Sequence, residues 1–287
     1  MIRASLGNQE YWDRWTKFGE STITQDLEHI SKPSGNPVYR PQFVFDLSQA
    51  YPRQIITRYS RGDSITELSP YFVGLLDAWE LSNRLAEEVC KEHHLKTCRD
   101  WTFELGNLNH YNWCFWLVGL ALTLDISDEQ WSRLVALIGA GGQDELLDRV
   151  MATRQKDRFI GTQLLHRKPY ARLLKAIDAL PEHRPLLLLE FLDNWYPELA
   201  RKGNEELWWY VYGDPVKNPL DRGSYFGRWC IEAAAVAKVF NVDDTLCLGH
   251  QHYPGDLLRP NGPSTHANRV VSKPGVFKML FGGGRGK

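Results

Sequence analysis

Cysteine is scarce in this chain. Five of its 287 residues, Cys90, Cys98, Cys114, Cys230 and Cys247, are odd in number and show no CxxC spacing. A disulfide-stapled scaffold is therefore not expected, and the thiols read as reduced. Long apolar runs are missing as well. Phe115 to Leu124 and Leu186 to Leu189 are the longest, well short of the roughly 20 residues that span a bilayer. The opening MIRASLGNQEYWDRW has no apolar core of the kind a secretory signal carries. A cytoplasmic chain without a membrane span is the expectation. Catalytic and cofactor signatures are also absent: there is no HExxH, no GxSxG, no Walker A loop and no GxGxxG after a strand. No cofactor is expected.

Acidic residues stop at Asp256, after which Arg259, Arg269, Lys273, Lys278, Arg285 and Lys287 follow unopposed. That leaves 28 basic against 35 acidic residues before Arg259, a balance of −7 hidden beneath a net charge of −1. An acidic body disfavours direct nucleic acid binding, which rests on Lys and Arg. It suits a basic protein partner, although a charge of this size also serves solubility alone.

What is present is apolar and aromatic: 43% hydrophobic and 12% aromatic residues, enough for a large core. Tyr11, Trp12, Trp15 and Phe18 suggest a short amphipathic turn, and Phe43 to Tyr59 a helix that Pro52 kinks or restarts. Residues 67–95 place Phe72, Leu75, Leu76, Trp79, Ala86, Val89, Cys90 and His93 at three- and four-residue steps, one helical stripe. Tyr111 to Leu124 is apolar all round, as a buried central helix is. Ser127 and Gln130 form a capping box ahead of the Trp131–Ile138 stripe. Shorter helices follow over Asp144–Met151, from Pro169 through Ile177 and from Pro185 through Trp195, with a last long one over Tyr225–Phe240. Trp208 to Tyr212 is an aromatic run that suits a helix or a strand, and it and the neighbourhood of Val44 are the only places where a strand could form. The fold expected is an all-α bundle that divides into two packed helical halves near Gly139–Gly142. The boundaries are an N-terminal segment 1–40, helical halves 41–142 and 143–258, and a mobile basic tail 259–287.

Individual chemistry is thin. His250 and His252 lack a third ligand at a metal-binding spacing, so a structural or surface role is expected. His93 and His94 suit the negative end of a helix. Glu232 falls on an apolar stripe between Trp229 and Val236, which makes it either a general acid or base of raised pKa or a buried, hydrogen-bonded structural carboxylate. No second carboxylate or nucleophile accompanies it, and no catalytic residue is assigned. Trp79, Trp113, Trp116, Trp131 and Trp229 read as core, whereas Trp208 and Trp209 break the pattern as surface anchors do.

Tyr225-Phe-Gly-Arg-Trp-Cys-Ile-Glu-Ala-Ala-Ala-Val-Ala-Lys238, followed by Asp243-Asp244 and by His252-Tyr-Pro-Gly-Asp-Leu257, resembles the C-terminal domain of PoNi-type immunity proteins. Ile55-Ile-Thr-Arg-Tyr-Ser-Arg-Gly62 resembles the family's N-terminal signature, and Lys168-Pro-Tyr170 and Trp195-Tyr196 agree with its middle. The resemblance covers roughly residues 40–258, with Arg228 standing where the family commonly has tyrosine. It implies a helical, non-enzymatic protein that binds a DNase toxin of the PoNe family, often delivered by type VI secretion, and blocks it in the producer's cytoplasm. Such a block places carboxylates against the toxin's Lys and Arg. The expected interface residues are Glu205, Glu206, Asp214, Asp221, Asp243, Asp244 and Asp256, with Trp208 and Trp209 as aromatic anchors. Asp243 and Asp244 equally suit helix ends, and Asp256 the HYPGD turn. Two other readings stand beside this one: a metal-assisted hydrolase using Glu232 and the His250/His252 region, and a helical scaffold for a different protein.

Overall fold

The computed structural model describes residues 1–95 and 103–266. Among these the chain forms nine α-helices and no strand. The expected all-α architecture is therefore present, as two packed halves. Residues 96–102, and with them Cys98, lie outside the described residues.

The first half begins with α1 (Gln9–Ile30), a 22-residue helix where the aromatic pattern suggested only a turn. Its polar faces hid it: Trp12, Thr16 and Ile23 are its buried positions, too sparse to read as a stripe. α2 (Arg40–Arg61) runs unbroken through Pro52 and ends at Gly62, whose φ of 104° only glycine adopts freely. α3 (Pro70–His93) packs along α2, and α1 packs on α2 as well. Cys90 in the last turn of α3 is disulfide-bonded, contrary to the expectation of reduced thiols, while Cys114, Cys230 and Cys247 are free and buried.

α4 (Leu108–Thr123) is buried on nearly all sides, as its composition predicts. α5 (Asp128–Ile138) starts at the capping box: the Gln130 amide donates to Ser127 Oγ at 3.2 Å, and the Ser127 amide to Gln130 Oε1 at 2.9 Å. The second half contributes α6 (Glu145–Ala152), α7 (Arg167–Asp178), α8 (Arg184–Glu198) and α9 (Ile231–Val239). α7 and α8 form a hairpin, and α9 crosses α4, which joins the halves. The crossing is close because the chain supplies no bulk there. A Cβ on Gly119 would stand 2.7 Å from Ile231 Cγ2 and 3.5 Å from Ala235 Cβ.

The linker between the halves is fastened from within. Asp148 Oδ2 accepts the amides of Gly142 (2.8 Å) and Gly161 (3.1 Å), and Oδ1 accepts Arg158 Nε at 2.7 Å. Both side chains of this ion pair are 2% exposed, so each charge depends on the other.

The last helix is shorter than its pattern. Tyr225–Cys230 is not helical, because tertiary partners take its backbone groups. Ser60 Oγ donates to the Phe226 carbonyl at 2.7 Å, His252 Nδ1 meets the Arg228 carbonyl at 2.9 Å, and the Cys230 amide donates to the His252 carbonyl at 2.8 Å. Residues 259–266 of the expected mobile tail pack on the body through Arg259, Ser264, Thr265 and the buried His266. Residues 267–287 lie outside the described residues.

Candidate functional site

Glu232 stands at the centre of the molecule, fully buried in the first turn of α9. Its Oε1 accepts Asn112 Nδ2 (3.0 Å) from α4, Tyr170 OH (3.0 Å) from α7 and Trp195 Nε1 (3.4 Å) from α8. Asn112 Oδ1 in turn accepts Trp209 Nε1 at 2.9 Å. Oε2 makes no hydrogen bond. Burial pushes the carboxyl up to about 7, against the lowering effect of the Tyr170 and Trp195 hydrogen bonds. The group thus serves as the hydrogen-bonded structural carboxylate. It ties four elements together and lines neither of the two large surface clefts described below.

The histidine pair is likewise absorbed by structure. His250 Nδ1 accepts the His252 amide at 3.1 Å, and its Nε2 lies 3.5 Å from Asp193 Oδ1. Burial drives His252 down to about 4, so its ring is neutral at ordinary pH. Among the described residues no three His, Cys, Asp or Glu side chains gather as a metal-binding group.

The expected interface residues divide by burial. Trp209 is 1% exposed and stacks on Trp195 at 5.8 Å, so it belongs to the core and not to a surface anchor. Asp244 is buried too, accepting Tyr253 OH (2.6 Å) and Arg259 Nη1 (2.8 Å). Its burial alone would raise its pKa, yet Arg259 and Tyr253 bring it below the usual carboxylate range. Asp256 is 3% exposed. It pairs with Arg3 at 2.5 Å and accepts the Thr265 amide at 2.6 Å and Ser264 Oγ at 2.7 Å. Asp244 and Asp256 therefore face inward partners.

Glu205, Glu206, Asp221 and Asp243 are exposed, and Trp208 and Asp214 are half-buried. Asp243 accepts the Thr245 amide and hydroxyl at 2.9 and 2.5 Å. Asp214 accepts the Val216 and Lys217 amides at 2.9 and 2.8 Å, bonds that hold its carboxyl below the usual range. Both carboxylates shape their turns while remaining open to solvent.

Sequence reasoning missed the surface beside this loop. Two clefts, of about 450 and about 750 Å³, flank Arg53 and Tyr212, which line both. Arg53 lies over the Trp208 ring at 4.4 Å, a cation–π contact that covers part of the expected anchor. Arg228 lies over Tyr196 at 4.7 Å and donates to the Tyr212 carbonyl at 2.8 Å. It supports the loop from behind. The larger cleft gathers residues from α1, α2 and a loop some 170 positions after α2, and the smaller one joins that loop to α2, α3 and α4, juxtapositions with no local signal.

Comparison with known proteins bears on both halves. Residues 3–136 match the family described as PoNe immunity protein (PoNi), N-terminal, and residues 142–257 match PoNe immunity proteins (PoNi), C-terminal. The chain belongs to the PoNi family. Its fold resembles the crystal structure of protein PA2201 from Pseudomonas aeruginosa, with a TM-score of 0.65, 17% identity and 90% of each chain covered. No curated protein matches it significantly. The motif from Tyr225 to Lys238 thus carries Glu232, the carboxylate on which the PoNi core converges. Among the described residues no helix is long and apolar enough to cross a membrane.

Proposed function

We propose that this chain neutralises a cognate PoNe-family DNase by binding it in the cytoplasm of the producing cell, without catalysis of its own. The observation that carries the reading is the match of both PoNi halves over nearly the whole chain. Delivery of the toxin by a type VI or related secretion system completes the proposal.

The binding face is the acidic loop that carries Glu205, Glu206, Trp208, Asp214 and Asp221, with Asp243 beside α9. A nuclease holds phosphates with Lys and Arg, and carboxylates presented on a rigid turn are the complement to such a groove. Asp214 is suited to this by its two backbone hydrogen bonds, which keep it ionised and fixed. The hydrolase alternative loses ground because Glu232 is fully buried and committed to three donors.

Co-expression with the toxin encoded beside it is the direct test. A stable complex that no longer cleaves DNA supports immunity; free toxin and undiminished cleavage refute it. Charge reversal by D214K and D221K then examines the loop. Undiminished capture of toxin in moderate salt removes that loop from the interface.

A further inference from the structure

The smaller cleft, about 450 Å³, lies between α2, α3, α4 and the loop that carries Trp208 and Tyr212. Its volume falls within the range of about 300–1,000 Å³ that small-ligand sites occupy. The walls are aromatic and fixed. Trp79 meets Phe45 and Phe103 edge-on at 6.4 and 5.4 Å, and Trp113 meets Trp208 at 5.9 Å. Asn109 pins the loop with both ends of its amide: Oδ1 accepts the Trp208 amide at 3.1 Å, and Nδ2 donates to the Glu206 carbonyl at 3.3 Å. A cleft held in this way exists before any ligand arrives and needs little ordering to bind one.

Its polar groups are mismatched in one direction. Arg53 makes no hydrogen bond and no ion pair among the described residues; its guanidinium lies over the Trp208 ring at 4.4 Å, a contact that occupies none of its N–H donors. His110, half-buried, takes the Glu104 amide on Nδ1 at 3.1 Å, which leaves the ring proton on Nε2 as a further donor. Trp79 is 3% exposed, and its Nε1–H has no acceptor. No aspartate or glutamate side chain lines the cleft. Asp46, the one acid of α2, lines the other cleft and accepts Gln42 Nε2 at 2.9 Å. The smaller cleft thus combines apolar rings with a cation that lacks a counter-ion and donors that lack acceptors.

We propose that this cleft binds a small planar aromatic molecule bearing a carboxylate, its ring among Trp79, Trp113 and Trp208 and its anion on Arg53. A carboxylate matches the forked donors of a guanidinium, an uncharged amide accepts from them less strongly, and an ammonium is repelled. Indole rings hold a flat guest by offset or edge-on contact, a geometry that aliphatic chains do not share. The inference goes beyond the immunity reading and does not depend on it: Arg53 and the aromatic walls select an anion, whereas the exposed carboxylates of the acidic loop select cations.

The test uses the full chain with 2-naphthoate as the probe, by calorimetry in about 0.15 M salt. The acid is expected to bind, and 2-naphthamide, of the same shape without the charge, to bind about 10-fold or more weakly. R53Q should raise the Kd for 2-naphthoate by about 10-fold and leave that for 2-naphthamide within about twofold, so that the preference for the acid disappears. The melting temperature of R53Q shows whether it keeps its fold; should it not, the comparison of acid and amide on the wild-type chain decides alone. As a readout of place, crystals soaked in 6-bromo-2-naphthoate should show the bromine among Trp79, Trp113 and Trp208. Acid and amide bound equally by the wild-type chain, a folded R53Q that keeps the preference, or bromine elsewhere overturns the site. So does the absence of binding at about 1 mM probe. Each of these failures leaves the immunity reading untouched, because toxin capture by the same chain is measured without the probe.

Discussion

At the scale of single residues, the chain spends buried charge where other proteins spend leucine. Glu232 titrates near 7 in the folded protein against an ordinary value of 4.5. The folded state therefore holds a proton that the unfolded chain gives up, and stability falls as pH rises from about 4.5 to about 7. His252 has the opposite slope. Its folded value of about 4 lies below the ordinary 6.5, so its contribution is present above 6.5 and is lost as pH falls toward 4. The two nearly cancel in wild type across their shared window. Glu232→Gln removes one slope and exposes the other. Relative to wild type it should gain on the order of 3 kcal/mol between pH 4.5 and pH 8, read from urea unfolding at each pH. A wild-type-like pH profile in the variant refutes the assignment. At Asp256 the expectation is a plain loss. Asp256→Ala leaves the Arg3 guanidinium, 9% exposed, without its counter-charge, and should cost about 3–5 kcal/mol while freeing residues 264–266 to exchange amide hydrogens faster.

At the scale of elements, legibility followed local pattern. α3, α4 and α5 carry their apolar stripes and caps in consecutive residues, so their existence and nearly their ends were readable. α1 was not, since its buried positions Trp12, Thr16 and Ile23 are spread over a mostly polar helix. The segment Tyr225–Cys230 has helical spacing but is held out of the helix by Ser60 and His252, partners over 160 and about 20 residues away. Glu232 was recognisable as a buried carboxylate, whereas Asn112, which links it to Trp209, gave no signal apart from its place in an apolar helix. The carboxylates Asp244 and Asp256 looked like surface charge because composition does not reveal Arg259 or Arg3 as partners. The helix crossing gives a prediction of its own. Gly119→Ala places a methyl 2.7 Å from Ile231 and 3.3 Å from its carbonyl oxygen. Helix propensity favours alanine by about 1 kcal/mol, but overpacking costs about 1–3 kcal/mol. The net should be destabilising, with a lower midpoint in chemical denaturation and an unchanged helical signal before the transition.

For the whole molecule, charge is arranged along the chain with an unopposed run of six basic residues at the end. Arg259 is neutralised by Asp244 and belongs to the body. Residues 267–287 hold Arg269, Lys273, Lys278, Arg285 and Lys287 and no acid, so ending the chain after His266 moves its formal charge from −1 to −6. A basic toxin approaching the acidic loop meets the summed field of the whole chain, which acts on encounter more than on the docked complex. The shortened chain should accordingly associate with toxin about 3–10-fold faster at 0.05 M salt, with a dissociation rate within about twofold of the parent. At 0.5 M salt, where the screening length is only about 4 Å, the two association rates should converge. Stopped-flow mixing at both salts measures this. Should the shortened chain instead associate more slowly, the basic residues after 266 contact the toxin themselves, and the partner surface they meet is acidic.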